Sequence, residues 1–284
     1  MIDSHSHSKF SHDGRVSIEK LIARAEEMGM NYYAVTEHLD RDYKFAKRER
    51  FIRQLNLKRY LRKVEKIRSQ RDGNEKTYVA FGVEAGYCPK SAPIYERELA
   101  GLDLDVVINS IHTIDGGDVY FKDWFNGKEQ DYIYNRYLDL IIESLDVNYH
   151  YDIVAHIGYV TRYAPYENVS LMQDKYLEKI DIILKKIIEK DKTIEINTHI
   201  KDEKLGFLPE IPLLKRYYEL GGRNITFSSD THRLDTMGFR YDRVVKVAKE
   251  IGFTHFVTYR KHQKVIEEFY YFLMFSIRYE MSNV

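Results

Sequence analysis

Nine acid or imidazole side chains are strung along the chain in an order that could build a metal centre: His5, His7, His12, His38, Glu84, His112, His156, Asp230 and His232. Of the 11 histidines, only His150, His199, His255 and His262 stand outside the set. In His5-Ser6-His7 two imidazoles share one side of an extended segment, because residues i and i+2 of a strand point the same way. Asp230-Thr231-His232 repeats the spacing near the other end of the chain. Glu84 closes the apolar run Tyr78–Val83, and a carboxylate can give one oxygen to each of two cations. Each residue alone has a plainer explanation: a strand-end salt bridge for Glu84, a helix N-cap for Asp230, a satisfied buried histidine for His38, His112 or His156. One metal centre accounts for all of them together, whereas the plainer explanations must each hold independently. Imidazoles and carboxylates without a thiolate suit Zn, Fe or Mn rather than a structural zinc held by cysteines.

The set has room for three divalent ions. Their six positive charges against the two negative ones of Glu84 and Asp230 leave about +4, enough to attract a phosphate dianion and to acidify a bound water. That chemistry is hydrolysis of a small phosphorylated substrate. Ser11-His12-Asp13-Gly14 reads as a turn able to bring His12 to a third ion. Asp13 there is either an acceptor for an imidazole N–H or simply a turn residue. Arg162, six residues beyond His156, could take a phosphate in a forked grip or lie on the surface.

Such ligands need strands to carry them. The pattern alternates short strands (2–5, 31–36, 77–84, 106–111, 151–156, 193–197, 224–229, 253–257) with helices (17–28, 51–71, 130–145, 174–190, 209–220, 241–251, and a closing helix over 263–279). Alternation of this kind argues parallel strands joined by right-handed crossovers. Seven or eight units favour an α/β barrel over an open sheet, and barrel chemistry collects at the C-terminal ends of strands, where these candidates fall. The chain has 284 residues, no linker and no repeat, so a single barrel domain is expected.

Composition excludes other roles. Lys+Arg and Asp+Glu balance at 44 each, so no global field draws nucleic acid or an anionic membrane. The 24 tyrosines are expected to cover half-buried helix–barrel contacts. Cys88 is the only cysteine. With no secretory signal in MIDSHSHS and no membrane-length apolar run, a cytoplasmic location is expected.

The segments DSHSHSKFSHDG, TEHLD, FGVEAGY, NSIHTIDGGDVYF, VAHIGY and SSDTH resemble the polymerase-and-histidinol-phosphatase family, and those around His112 and His156 its histidinol-phosphatase branch. The resemblance implies a distorted (β/α)7 barrel with a trinuclear metal site. It places His5, His7, Glu84 and Asp230 on a first ion. Glu84 bridges to a second held with His112 and His156, and His12, His38 and His232 hold a third. The implied catalytic residues are Glu84, Asp230 and Arg162; Arg162 and Tyr120 look like phosphate contacts. The implied reaction is hydrolysis of L-histidinol phosphate to L-histidinol and phosphate. After Asn197 family members often carry an arginine, where this chain reads Thr198-His199-Ile200-Lys201-Asp202. Lys201 or Lys204 could substitute as a point charge but not as a fork. Alternatives left open are a related phosphoesterase acting on a nucleotide or other small ester, and a metal-binding regulatory protein without turnover.

Overall fold

In the structure, a computed structural model, residues 1–41, 53–200 and 206–269 are described. Seven parallel strands run in the order β1 (Ile2–Asp3), β2 (Tyr32–Leu39), β3 (Tyr78–Gly86), β4 (Val106–Ser110), then, past a two-residue hairpin of β5 (Thr113–Ile114) and β6 (Gly117–Asp118), β7 (Ile153–Val154), β8 (Thr193–Asn197) and β9 (Ile225–Ser228). The ring closes where Ser4 N–H donates to the Phe227 carbonyl at 3.0 Å and His7 N–H to that of Thr231 at 2.8 Å. The expected (β/α)7 barrel is therefore present, distorted by β1 and β7 of only two residues.

Helices α1 (Ile18–Glu27), α2 (Leu57–Arg68), α3 (Ala92–Leu99), α4 (Gln130–Ser144), α5 (Asp174–Glu189), α6 (Ile211–Glu219) and α7 (Tyr241–Ile251) alternate with the strands. Each exists because a stripe of apolar residues recurs every three or four positions. In α5 the buried stripe is Tyr176, Ile180, Ile183, Leu184 and Ile187; in α1 it is Ile18, Leu21, Ile22 and Ala25, capped by Ser17. The helix expected over 51–71 is shorter. Asn56 accepts the Arg59 N–H at 3.0 Å and starts α2 at Leu57, leaving Arg53 and Gln54 outside it. Among the described residues no helix is long and apolar enough to cross a membrane.

The tyrosines lie deeper than expected. Tyr32, Tyr33, Tyr60, Tyr95, Tyr134, Tyr137, Tyr176, Tyr217 and Tyr259 are all fully buried. Most give the hydroxyl a partner, as a buried phenol must. Tyr60 Oη, for instance, donates to the Gly82 carbonyl at 2.9 Å.

The chain's end corrects the expected pattern. Residues 263–269 are not helical: β11 (Gln263–Glu268) folds back antiparallel on β10 (His255–Arg260), and residues 270–279 of that expected helix lie outside the described residues. The turn places Lys261 (φ 51°) and His262 (φ 62°) in the left-handed region, which matches the twist of a two-residue hairpin. Consequently β10 is no eighth barrel strand. Tyr259 instead sits against the bottom of the barrel, its hydroxyl 2.7 Å from Thr193 Oγ1 and 3.2 Å from the Asp152 carbonyl.

Candidate metal centre

Register brings the first ligands together. In the β2–β3 pairing His38 stands opposite Glu84, and directly opposed residues of neighbouring strands share a face at about 4.8 Å spacing. His5 and His7 follow β1, His112 follows β4, His156 follows β7, and Asp230 and His232 follow β9. His156 (φ 40°) and Asp230 (φ 49°) have left-handed backbones. That conformation costs a non-glycine residue about 1–2 kcal/mol and turns both side chains at the strand exits.

Glu84, fully buried, has one oxygen in each of two clusters. Oε1 lies 3.0 Å from His112 Nε2 and 2.9 Å from His156 Nε2. Oε2 lies 3.3 Å from His5 Nε2 and 3.5 Å from His7 Nε2. Asp230 Oδ1 joins the latter cluster, 3.2 Å from His7 Nε2. Two donors bound tetrahedrally to one ion, each about 2.1 Å away, lie about 3.4 Å apart.

The outer hydrogen bonds make the inner atoms into ligands. His5 Nδ1 donates to Glu195 Oε1 at 2.6 Å. His7 Nδ1 donates to Ser11 Oγ at 3.2 Å, because that hydroxyl spends its own proton on Glu37 Oε2 at 2.5 Å. With both rings neutral, the two Nε2 atoms present bare lone pairs to each other at 3.0 Å, beside two carboxylates. Four acceptors facing one another need positive charge among them, a metal ion or, without one, the proton that the surrounding carboxylates favour on His5. Glu84 Oε2 and His38 Nδ1 are likewise buried without a hydrogen-bonding partner, though 2.8 Å apart. The donor set fits divalent ions of the zinc type.

A third cluster forms at the rim. Asp13 Oδ2 stands 3.2 Å from His232 Nε2, 3.6 Å from His38 Nε2 and 3.7 Å from His12 Nε2. Asp13, read from sequence as an outer acceptor or a turn residue, reaches the same point as the three imidazoles and is itself a candidate ligand. Asp40, not singled out on sequence, accepts His112 Nδ1–H at 2.9 Å. The site needs Gly86, since an added Cβ would fall 1.8 Å from Asp40 Oδ1 and 3.0 Å from His112 Nδ1.

Electrostatics agree. Burial drags on the His5 imidazolium, but Glu84, Glu195 and Asp230 together raise its pKa well above the ordinary value. Likewise burial opposes, and Glu84 and Asp40 overcome, so that His112 is pushed up to about 10. Glu84 and Asp230 are held well below the usual carboxylate range, against their own burial, by the imidazoles around them. Positive charge is thus favoured on His5 and His112, whereas burial and the neighbouring His38 and His232 hold His7 well below its ordinary value.

Above the clusters opens a cavity of about 570 Å³ lined also by Tyr120, Tyr159, Arg162, Tyr163 and His199, an ordinary size for a small-ligand site. Arg162 Nη2 donates to Asn197 Oδ1 at 3.1 Å, its guanidinium stacks 5.0 Å from the Tyr159 ring, and its Nε is buried without a partner. Tyr120, 49% exposed, follows β6 at the cavity mouth. Lys201 and Lys204 lie outside the described residues. His199, set aside on sequence, lines the cavity and donates Nδ1–H to the Asp230 carbonyl at 3.0 Å. His150 and His262 instead flank Asp152, and His255 begins β10.

The sequence profile of the PHP domain matches residues 3–199. The chain belongs to the PHP family. Its relatives include a probable histidinol-phosphatase of Clostridium acetobutylicum, 30% identical over 88% of this chain and 93% of that protein. A histidinol-phosphatase of Lactococcus lactis is 26% identical over 94% of this chain and 99% of that one. The crystal structure of a Lactococcus lactis histidinol phosphate phosphatase, complexed with zinc, L-histidinol and phosphate, superimposes with a TM-score of 0.81 at 25% identity, covering 93% of this PHP protein and 98% of the other.

Proposed function

We propose that this PHP protein is a metal-dependent phosphomonoesterase that hydrolyses L-histidinol phosphate to L-histidinol and phosphate. The observation that carries the reading is Glu84, whose two oxygens face separate imidazole clusters, the arrangement of a carboxylate between two cations. Three divalent ions are assigned. His5, His7, Glu84 and Asp230 would hold the first, and Glu84, His112 and His156 the second. His12, Asp13, His38 and His232 would hold the third. The names of the relatives, and the zinc, histidinol and phosphate of the Lactococcus protein, support the substrate and the metal type.

When bound, the ions supply charge to neutralise the phosphate and acidify the attacking water. The protein's own groups do the rest. Arg162, which lines the cavity, would grip phosphate oxygens through its guanidinium N–H groups, a charge-assisted contact. These donors are fixed before substrate arrives, so they strengthen as charge gathers on phosphorus oxygens in the transition state. Tyr120 offers a phenol at the mouth. Tyr159 and Tyr163, with rings 5.9 Å apart, form an apolar wall suited to a flat imidazole ring.

The test is phosphate release by protein reconstituted separately with zinc, manganese or iron, on histidinol phosphate and on a panel of nucleotide and sugar monoesters. The highest kcat/KM is expected on histidinol phosphate. A nucleotide or sugar ester turned over much faster would move the substrate, and full metal with no turnover on any ester would end the enzymatic reading.

A further inference from the structure

Asn197 ends β8 and is fully buried, and its side chain spends every hydrogen-bonding capacity it has. Nδ2 donates to Glu195 Oε2 at 3.2 Å and to Asp230 Oδ2 at 3.1 Å. Oδ1 accepts Arg162 Nη2–H at 3.1 Å and the His199 backbone N–H at 3.0 Å. Two donors and two acceptors are what a carboxamide can satisfy. The orientation is fixed by its neighbours, because a flipped amide would set its oxygen against two carboxylates and its nitrogen against two donors. One planar group thus spans a candidate metal ligand (Asp230), the carboxylate that orients another (Glu195 behind His5), and the cavity's arginine.

We propose that Asn197 is a positioning residue: it sets the Arg162 guanidinium at a fixed distance from the Asp230 carboxylate, and so sets the phosphate grip in register with the floor of the site. The inference rests on the phosphatase reading above. Arg162 otherwise has the Tyr159 face beneath it and the Tyr163 hydroxyl beside it. Tyr159 packs its ring on His156 and His112, but a ring face does not direct the guanidinium's N–H groups, as the hydrogen bond to Asn197 does. Asn197 also turns the chain after β8, pinning His199 so that its ring reaches the Asp230 carbonyl. A carboxamide is suited to this place because a carboxylate there would repel Glu195 and Asp230, and an aliphatic group would leave all four partners short.

A double-mutant cycle tests the link. Inorganic phosphate binding is measured by calorimetry at saturating zinc, with folding checked by circular dichroism. Asn197→Ala is expected to weaken phosphate about tenfold when Arg162 is present, the size of one charge-assisted hydrogen bond, and under about twofold in the Arg162→Ala background. Asn197→Asp keeps an acceptor for Arg162 while losing both donors. It is expected to bind phosphate within about threefold of the parent but to hold zinc about tenfold less tightly. Additive losses in the cycle, or an Asn197→Asp variant that folds yet loses phosphate as Asn197→Ala does, overturn the proposal. Parent protein that binds no phosphate at full zinc sinks the phosphatase reading itself. Parent binding that Asn197→Ala leaves untouched sinks only the role of Asn197.

Discussion

Glu84 is where the chemistry of this site is most concentrated, since one carboxylate serves two clusters. Glu84→Gln keeps the shape and removes the charge, so metal and activity should fall together. Elemental analysis of the purified variant should show well under the parental zinc, and kcat should fall by at least about 100-fold, the scale of a lost electrostatic group in a catalytic site. Intact stoichiometry at parental rate would contradict the bridge. Glu195 acts one layer further out. Glu195→Gln leaves His5 in place but weakens the acceptor that fixes its tautomer, and zinc affinity should fall about 10–100-fold by competition with a chelating dye. The nine ligand candidates were legible because His and acid at strand ends stand out against an apolar run. Glu195, Asp40 and Asn197 were not. Glu195 and Asn197 alternate with isoleucines inside Thr193–Asn197, a spelling shared by any strand with one polar face. Nothing in Thr-Glu-His-Leu-Asp says that Asp40 turns back onto His112.

At the scale of elements, parallel strands and their helices were readable from period alone, and boundaries erred where a side chain rather than the pattern decides, as Asn56 does for α2. The terminal hairpin was missed because Arg-Lys-His-Gln carries no Asn-Gly or Asp-Gly signal; tertiary contacts impose the left-handed turn. Two of those contacts can be tested. Tyr259→Phe leaves Thr193 Oγ1 without its partner under the barrel, while the Asp152 carbonyl keeps the Thr193 N–H at 3.1 Å, and should cost about 1–3 kcal/mol in urea unfolding, with kcat unchanged, since it lies far from the cavity. Asp152 accepts from His262 Nδ1 at 2.8 Å, His150 Nε2 at 2.7 Å and the Val107 N–H at 2.8 Å. Burial alone would raise its carboxyl, but these donors overcome it and the pKa is lowered. A depressed carboxyl contributes stability that is present above its unfolded pKa and is lost as pH falls through the folded value. Asp152→Asn should therefore be less stable than the parent at pH 7, and the gap should close below about pH 4, where the parent's carboxyl starts to protonate in the unfolded chain. A gap that is constant with pH would remove the carboxylate from the hairpin's support.

Across the whole molecule the candidate ligands come from the ends of β1, β2, β3, β4, β7 and β9, so ions held there would tie most of the barrel's rim into one cross-linked ring. Two of these strands are only two residues long, and their ladders alone hold the rim weakly. Without metal ions the ligand set must hold its positive charge as buried imidazolium, as at His5, against the cost of burial. The unfolded chain presents no such assembled set, so metal binding must appear as folding stability. At free zinc about 100 times the dissociation constant the gain is about 2.7 kcal/mol for one site, and roughly 2–4 °C of melting temperature accompany each kcal/mol in domains approaching this size. Chelation should therefore lower the melting temperature by about 5–10 °C or more, and added zinc should restore it in proportion to the logarithm of free metal. Glu84→Gln should flatten that dependence, because the carboxylate shared by two clusters is the part of the ring that one substitution removes. A melting temperature indifferent to chelator and to added metal would mean that the rim stands without ions, with a proton on His5 alone joining it to His7 and the carboxylates.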